Sequence, residues 1–244
     1  MRLRRVYVDA PLEAGTRVRL ERSAAGHVTR VLRLRVGEAL TLFNGRGGEY
    51  AASLVESSGA EVTVAVGEYR AIERESPLAI TLAQGISRGE RMDLVVQKAT
   101  ELGVTQLAPL ILERSVVRLD AQQAHRKLNR WHAIAVAACE QSGRNRLPEV
   151  LAPATLREFL QSAASVAPTR LLLSPTAARR LEDLDAPVSA VSVLIGPEGG
   201  LADSEQAAAL AAGFTAVCLG PRVLRTETAA LVALTLLQRE FGDL

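Results

Sequence analysis

Beyond Pro77 the chain alternates short apolar runs with helix-period segments, a pattern that few arrangements besides a parallel α/β sheet can satisfy. Leu78–Ala83, Thr105–Leu112, Arg170–Leu173, Val191–Ile195 and Ala216–Leu219 read as strands. Gly89–Leu102, Ala121–Ser142, Thr155–Ala164, Asp203–Ala212 and Thr226–Phe241 read as helices. In the first helix Met92, Val95, Val96, Ala99 and Leu102 recur every three or four residues, and Gly103 supplies the stop. The stripe Leu128, Trp131, Ala135 and Ala138 predicts a buried face on the longest helix, with Trp131 in the core. Asp203 and Gln206 have the spacing of a capping box. In the last helix only Thr235 interrupts the apolar run from Ala229 to Leu237. A helix apolar on most faces must be buried on most faces, which suggests a subunit interface.

Residues 1 to 72 read differently, as a small β-rich unit. Glu38–Phe43, Glu49–Val55 and Ala60–Val66 have strand character, and Asn44-Gly-Arg-Gly-Gly48 between the first two is a hairpin signal. Glu56-Ser-Ser-Gly59 is the next turn, and Gly26–Leu34 suggests a short helix. Several short strands with one small helix suit a compact barrel. The charged segment Glu68–Pro77 reads as the linker, so the expected domains are 1–72 and 73–244.

An apolar content of 48% against 23% charged residues is that of a globular protein. Met1–Asp9 carries basic residues without a following apolar run, so no signal peptide is expected. No apolar run approaches the ~18 residues of a membrane span. Cys139 and Cys218 lie in apolar patterns and read as buried free thiols, which suits the cytoplasm. Charge is uneven along the chain. Residues 1–35 hold nine arginines against three acids, and residues 114–146 hold seven Lys/Arg against two acids. Two basic zones on a nearly neutral protein suggest a polyanionic partner. Aromatic residues make up only 3%, so nucleic-acid binding would lean on charge more than on base stacking.

Several common active sites are missing from the sequence. There is no Gly-x-x-x-x-Gly-Lys-Ser/Thr, no Gly-x-Gly-x-x-Gly after the first strand of the larger domain, and no Gly-x-Ser-x-Gly elbow. His27, His125 and His132 do not cluster with the cysteines, so no metal site is expected. What remains is a set of loops at strand ends. Leu172-Leu-Ser-Pro-Thr176, Ile195-Gly-Pro-Glu-Gly-Gly200 and Leu219-Gly-Pro-Arg-Val-Leu-Arg-Thr-Glu-Thr-Ala229 each follow an apolar strand. Open α/β sheets bind ligands beyond the carboxyl ends of their strands. Glycine there admits close backbone approach, and proline stiffens the turn.

The last two loops resemble the cofactor-binding region of SPOUT methyltransferases, and more narrowly of the RsmE-type 16S ribosomal RNA uridine-N3-methyltransferases. Further matches are Gly89-Glu-Arg-Met-Asp93, Gln97-Lys-Ala-Thr-Glu-Leu-Gly103, Glu113-Arg-Ser-Val-Val117, Arg130-Trp131 and Glu140-Gln-Ser-Gly-Arg144. Arg5-Val-Tyr-Val8 and Phe43-Asn-Gly-Arg-Gly-Gly-Glu49 also fit, so the resemblance runs over nearly the whole chain. It implies a PUA-like N-terminal barrel and a knotted, parallel-sheet α/β methyltransferase domain. It also implies S-adenosylmethionine as cofactor, a homodimer, and a small-subunit rRNA uridine near the decoding site as substrate, presented as RNA or as an assembled 30S particle.

Under that resemblance the cofactor residues are Leu173 and Ser174 in the first loop and Ile195, Gly196, Pro197, Glu198 and Gly199 in the second. In the third they are Leu219, Gly220, Leu224, Arg225, Thr226, Thr228 and Ala229. N3 of uracil is a poor nucleophile until its proton leaves. Arg225 is the candidate for stabilising the anion and Glu227 for accepting the proton. A first-turn acid complementing the helix dipole is the other reading of Glu227. Arg5, Arg33, Arg88, Lys98, Arg114 and Arg144 are candidates for RNA contact. Two other functions remain open from the residues: a non-catalytic RNA-binding or assembly protein on this fold, and a SPOUT enzyme acting on ribose 2′-oxygen.

Overall fold

The computed structural model describes residues 4–58, 61–184 and 189–244. They gather into two compact units, Met1–Glu75 with Val136–Leu147 and Ser76–Ala135 with Pro148–Leu244. The single cut expected at 72/73 is therefore incomplete. The helix Ala121–Ser142 begins in the second unit, and its last turns, with the residues that follow, belong to the first.

In the first unit the elements are β1 (Arg5–Tyr7), β2 (Arg17–Arg19), α1 (Arg22–Gly26), β3 (Ala39–Phe43), β4 (Glu49–Ser58) and β5 (Glu61–Arg70). They form one mixed sheet in the order β1-β3-β4-β5-β2, with β1 and β3 parallel and the other pairs antiparallel. Period-two burial is clearest in β5, where Val62, Val64 and Val66 point into the core. The β3–β4 hairpin is where it was expected, with Gly45, Gly47 and Gly48 all at positive φ. Gly59 and Ala60, in the expected turn and strand start, lie outside the described residues. The helix expected at Gly26–Leu34 starts earlier, at Arg22, and passes into a π turn, His27–Leu32. Arg33 ends that turn in the left-handed region, with φ 54°.

The second unit contains β6 (Ala79–Gly85), α2 (Arg91–Glu101), β7 (Gln106–Ile111), α3 (Ala121–Ser142), β8 (Glu149–Val150), β9 (Ala154–Thr155) and α4 (Leu156–Gln161). It continues with β10 (Thr169–Leu173), β11 (Ala190–Ile195), α5 (Asp203–Ala211), β12 (Thr215–Val217) and α6 (Thr226–Phe241). Its sheet runs β12-β10-β11-β6-β7-β8, with β9 also beside β7, and every pairing is parallel. The central strands are buried along most of their length, as parallel strands covered on both faces must be.

Met92, Val95, Val96 and Ala99 of α2 share a core with Ala230, Ala233, Leu234 and Leu237 of α6. Much of the apolar character of α6 thus has an explanation within the chain. Trp131 of α3 is fully buried in the same core. At α5 the cap lies one residue earlier than the sequence suggested. Ala202 is the N-cap, and the Glu205 carboxylate accepts its N–H at 3.0 Å, so Asp203 and Gln206 form no capping box.

Candidate active site

Because β12, β10 and β11 are adjacent and parallel, their carboxyl ends share one edge of the sheet. The three loops marked in the sequence leave from that edge and surround a cavity of about 700 Å³. From the first loop Leu173 and Ser174 line it, and from the second Ile195, Gly196, Pro197, Glu198 and Gly199. From the third, Leu219, Gly220, Leu224, Arg225, Thr226, Glu227 and Ala229 complete the wall. Thr228 does not line the cavity and is exposed. It lies in the first turn of α6, where roughly 100° of rotation per residue carries it off the face of Glu227.

Arg91, Gln206, Cys218 and Arg222 also line the cavity, and sequence reasoning assigned none of them. For Arg91 a signal existed. The segment Gly89-Glu-Arg-Met-Asp93 follows β6, which pairs with β11, so it too leaves a strand end on the same edge.

Close backbone approach shapes the cradle. A Cβ on Gly85 would lie 2.5 Å from the Pro197 nitrogen, so no larger residue lets the second loop cross β6. A Cβ on Gly196 would lie 2.8 Å from Leu201 Cδ1 and 2.9 Å from the Gly200 carbonyl carbon. Gly220 has φ 127°, and space around it is open. The Thr226 hydroxyl donates to the Gly196 carbonyl at 2.6 Å and joins the second loop to the start of α6.

Charge is arranged around Glu198. Its Oε1 accepts from the Arg88 backbone N–H at 3.1 Å and from Arg91 Nη1 at 2.8 Å. Burial opposes its ionisation, but hydrogen bonds from its own backbone, from Arg88 and from Arg91 outweigh that and hold the carboxyl below its ordinary range. Arg91 Nε lies 3.8 Å from Glu227 Oε1. Glu227 lines the cavity, and its Oε2 is buried without a hydrogen-bond partner. Arg225 is the exposed N-cap residue of α6.

The residues expected to contact RNA divide. Arg5 is 3% exposed, with Nη1 on Glu49 Oε2 at 2.5 Å and Nη2 on Asn145 Oδ1 at 2.6 Å. Arg144 is 4% exposed, and its Nη2 donates to Glu75 Oε2 at 2.5 Å. Both guanidiniums hold the first unit together internally, which corrects their assignment as RNA contacts. Lys98 pairs with Glu101 at 2.8 Å, one turn along α2. Arg114 stands in the cavity wall, with Nη1 3.4 Å from the Gly199 carbonyl. Arg33 and Arg88 are exposed. Among the described residues no group of His, Cys, Asp and Glu could hold a metal ion, and no helix is long and apolar enough to cross a membrane.

Residues 74–238 match the RNA methyltransferase domain family, and residues 20–66 match the RNA methyltransferase PUA domain. A ribosomal RNA small subunit methyltransferase E of Buchnera aphidicola is 31% identical, over 98% of this chain and 94% of its own length. The chain belongs to the ribosomal RNA small subunit methyltransferase E family. The Neisseria gonorrhoeae member, solved bound to S-adenosyl methionine, is 42% identical with a TM-score of 0.93, over 99% of both chains. A Legionella pneumophila protein solved with bound SAM is also 42% identical, with a TM-score of 0.95 over the full length of both chains. Of the expected class, the parallel-sheet α/β methyltransferase domain and the PUA-like N-terminal β unit are borne out.

Proposed function

We propose that this chain transfers the methyl group of S-adenosylmethionine to N3 of a uridine in small-subunit ribosomal RNA, near the decoding site. The observation that carries the reading is the cavity at the ends of β10, β11 and β12, in a chain of this family. The lining suits the cofactor. Gly196 and Gly220 leave a cradle that side chains would close or strain, and Glu198 and Glu227 present acid to a ligand bearing ammonium and sulfonium charge.

S-adenosylmethionine, when bound, supplies the electrophilic methyl. The chain's own residues prepare the nucleophile. Glu227, which lines the cavity, accepts the N3 proton directly or through water. Arg225 stabilises the negative charge that spreads onto the uracil carbonyls as that proton leaves. The backbone of the second and third loops holds the cofactor.

The first unit holds RNA through exposed arginines, among them Arg17, Arg22, Arg30 and Arg33. The resemblance to SPOUT enzymes adds a trefoil knot and a homodimer to this reading, and ribosomal RNA as substrate places the protein in the cytoplasm.

Nucleoside mass spectrometry of 30S subunits lacking the modification, incubated with protein and cofactor, tests the reaction. The expected product is 3-methyluridine. Arg225→Ala should slow its formation by about a hundredfold, the scale of one lost donor to a developing anion, with little change in cofactor affinity. A ribose 2′-O-methyl product, or no methylation, would contradict the proposal.

A further inference from the structure

Gln84 is fully buried on β6, between Ala83 and Gly85 in a strand whose other inward residues are apolar. Its Nε2 donates to Thr226 Oγ1 at 2.8 Å and to the Gly85 carbonyl at 3.1 Å. The Thr226 hydroxyl has a single proton, which goes to the Gly196 carbonyl. Toward Gln84 that hydroxyl can only accept, so the amide must turn its nitrogen to Thr226. Its oxygen, turned the other way, is buried and has no hydrogen-bond partner. An unsatisfied buried carbonyl is a penalty that leucine or methionine would not incur. Stability of the strand therefore does not explain a glutamine here.

Position does. Gln84 is in register with Ile195, the last residue of β11, and Gly85 touches Pro197. Through Thr226, the Gln84 amide ties three things together: the end of β6, the first residue of the loop after β11, and the first turn of α6. Two of these carry cavity walls. We infer that Gln84 is a positioning residue for the methyl-donor pocket, holding the Gly196 loop and the start of α6 in binding register through the Thr226 hydroxyl. The inference rests on the cavity being the S-adenosylmethionine site. Gln84 itself does not line the cavity.

The test separates positioning from packing. Gln84→Met keeps the length and removes the amide. In the ligand-free protein its melting temperature should equal or exceed wild type, while hydrogen exchange of the 198–201 amides rises at least threefold. Calorimetric affinity for S-adenosylmethionine should fall about tenfold, about 1.4 kcal/mol. Thr226→Val should show the same loss, and Thr226→Ser, which keeps the hydroxyl, should recover most of it. Because both residues act through one relay, the double variant Gln84→Met/Thr226→Val should lose no more than either single variant. Unchanged loop exchange and affinity in Gln84→Met would overturn the inference, as would losses that add in the double variant. If wild type binds no S-adenosylmethionine, the cofactor reading fails, and loop exchange in the ligand-free variants still decides whether the relay exists.

Discussion

Arg91 of α2 donates to Glu198 of the loop after β11 at 2.8 Å, and the same guanidinium lies 3.8 Å from Glu227 on α6. One cation thus stands between two carboxylates that line the cavity, each on a different element. It fixes the Glu198 loop and places positive charge beside the acid proposed to accept the uracil proton.

Arg91→Met should release Glu198, whose carboxyl then titrates closer to the ordinary carboxylate range. Because the Arg91 side chain is 43% exposed, water screens the pair. The expected loss of cofactor affinity is only about threefold to fivefold, within the ~0.5–1.5 kcal/mol net contribution of one hydrogen bond. Carbon-13 NMR titration of Glu198 beside calorimetry checks both parts. An unmoved Glu198 titration would show that backbone donors alone hold the carboxylate.

Arg5 has no such exposure. Burial pushes the Glu49 carboxyl up, but the hydrogen bond and charge of Arg5, with further hydrogen bonds from Asn145 and Arg74, bring it below the ordinary value. A carboxylate with a lowered folded value contributes stability above its unfolded range, and that contribution is lost as pH falls through the folded value. Arg5→Met leaves Glu49 buried without its closest cation and should cost about 3 kcal/mol or more at pH 7. Urea unfolding should show this penalty shrinking as pH is lowered through the acid range. A variant as stable as wild type, or one that loses RNA affinity while remaining as stable, would return Arg5 to the RNA contacts.

These two arginines mark what the sequence could and could not convey. Strong periodicity was sufficient for α3 and α6, whose expected limits, Ala121–Ser142 and Thr226–Phe241, match the structure at both ends. The ligand loops were legible because three apolar runs each ended in glycine or proline. The strands Arg5–Tyr7 and Arg17–Arg19 were not, since three residues are too few to show a period and arginines interrupt them. An arginine's charge is visible in a sequence, but its partner is not. Glu49 lies 44 positions from Arg5, and Glu75 lies 69 from Arg144, so two structural ion pairs passed for part of a basic surface. The cap at Ala202 was hidden for a local reason: alanine has no polar side chain to mark an N-cap, and only the half of the box in which Glu205 accepts the Ala202 N–H is formed.

Glu140 predicts the opposite pH response from Glu49. Burial raises its carboxyl to about 7, against the hydrogen bond from the Tyr7 backbone N–H and the charge of Arg5. A raised folded value favours the protonated carboxyl, so this contribution is present below the ordinary value near 4.5 and is lost as pH rises through about 7. His27 Nδ1, 3.4 Å from Glu140 Oε2, offsets part of the loss while it is protonated. The unfolding free energy of Glu140→Gln, from urea titration, should therefore fall less than that of wild type between pH 5 and 8, by roughly 2 kcal/mol on conversion of the shift. Parallel curves for the two proteins would remove Glu140 from the account.

Calorimetric titration of S-adenosylmethionine into wild type, Gly196→Val and Gly220→Val tests the central claim most directly. Single-site binding to the wild-type chain is expected. Both variants should lose at least tenfold, since a Cβ at Gly196 meets the backbone at Gly200 and a side chain at Gly220 is forced into positive φ. Circular dichroism and melting temperature establish that the variants are folded. Equal affinity in all three folded proteins would place the cofactor away from the ends of β11 and β12 and contradict the account.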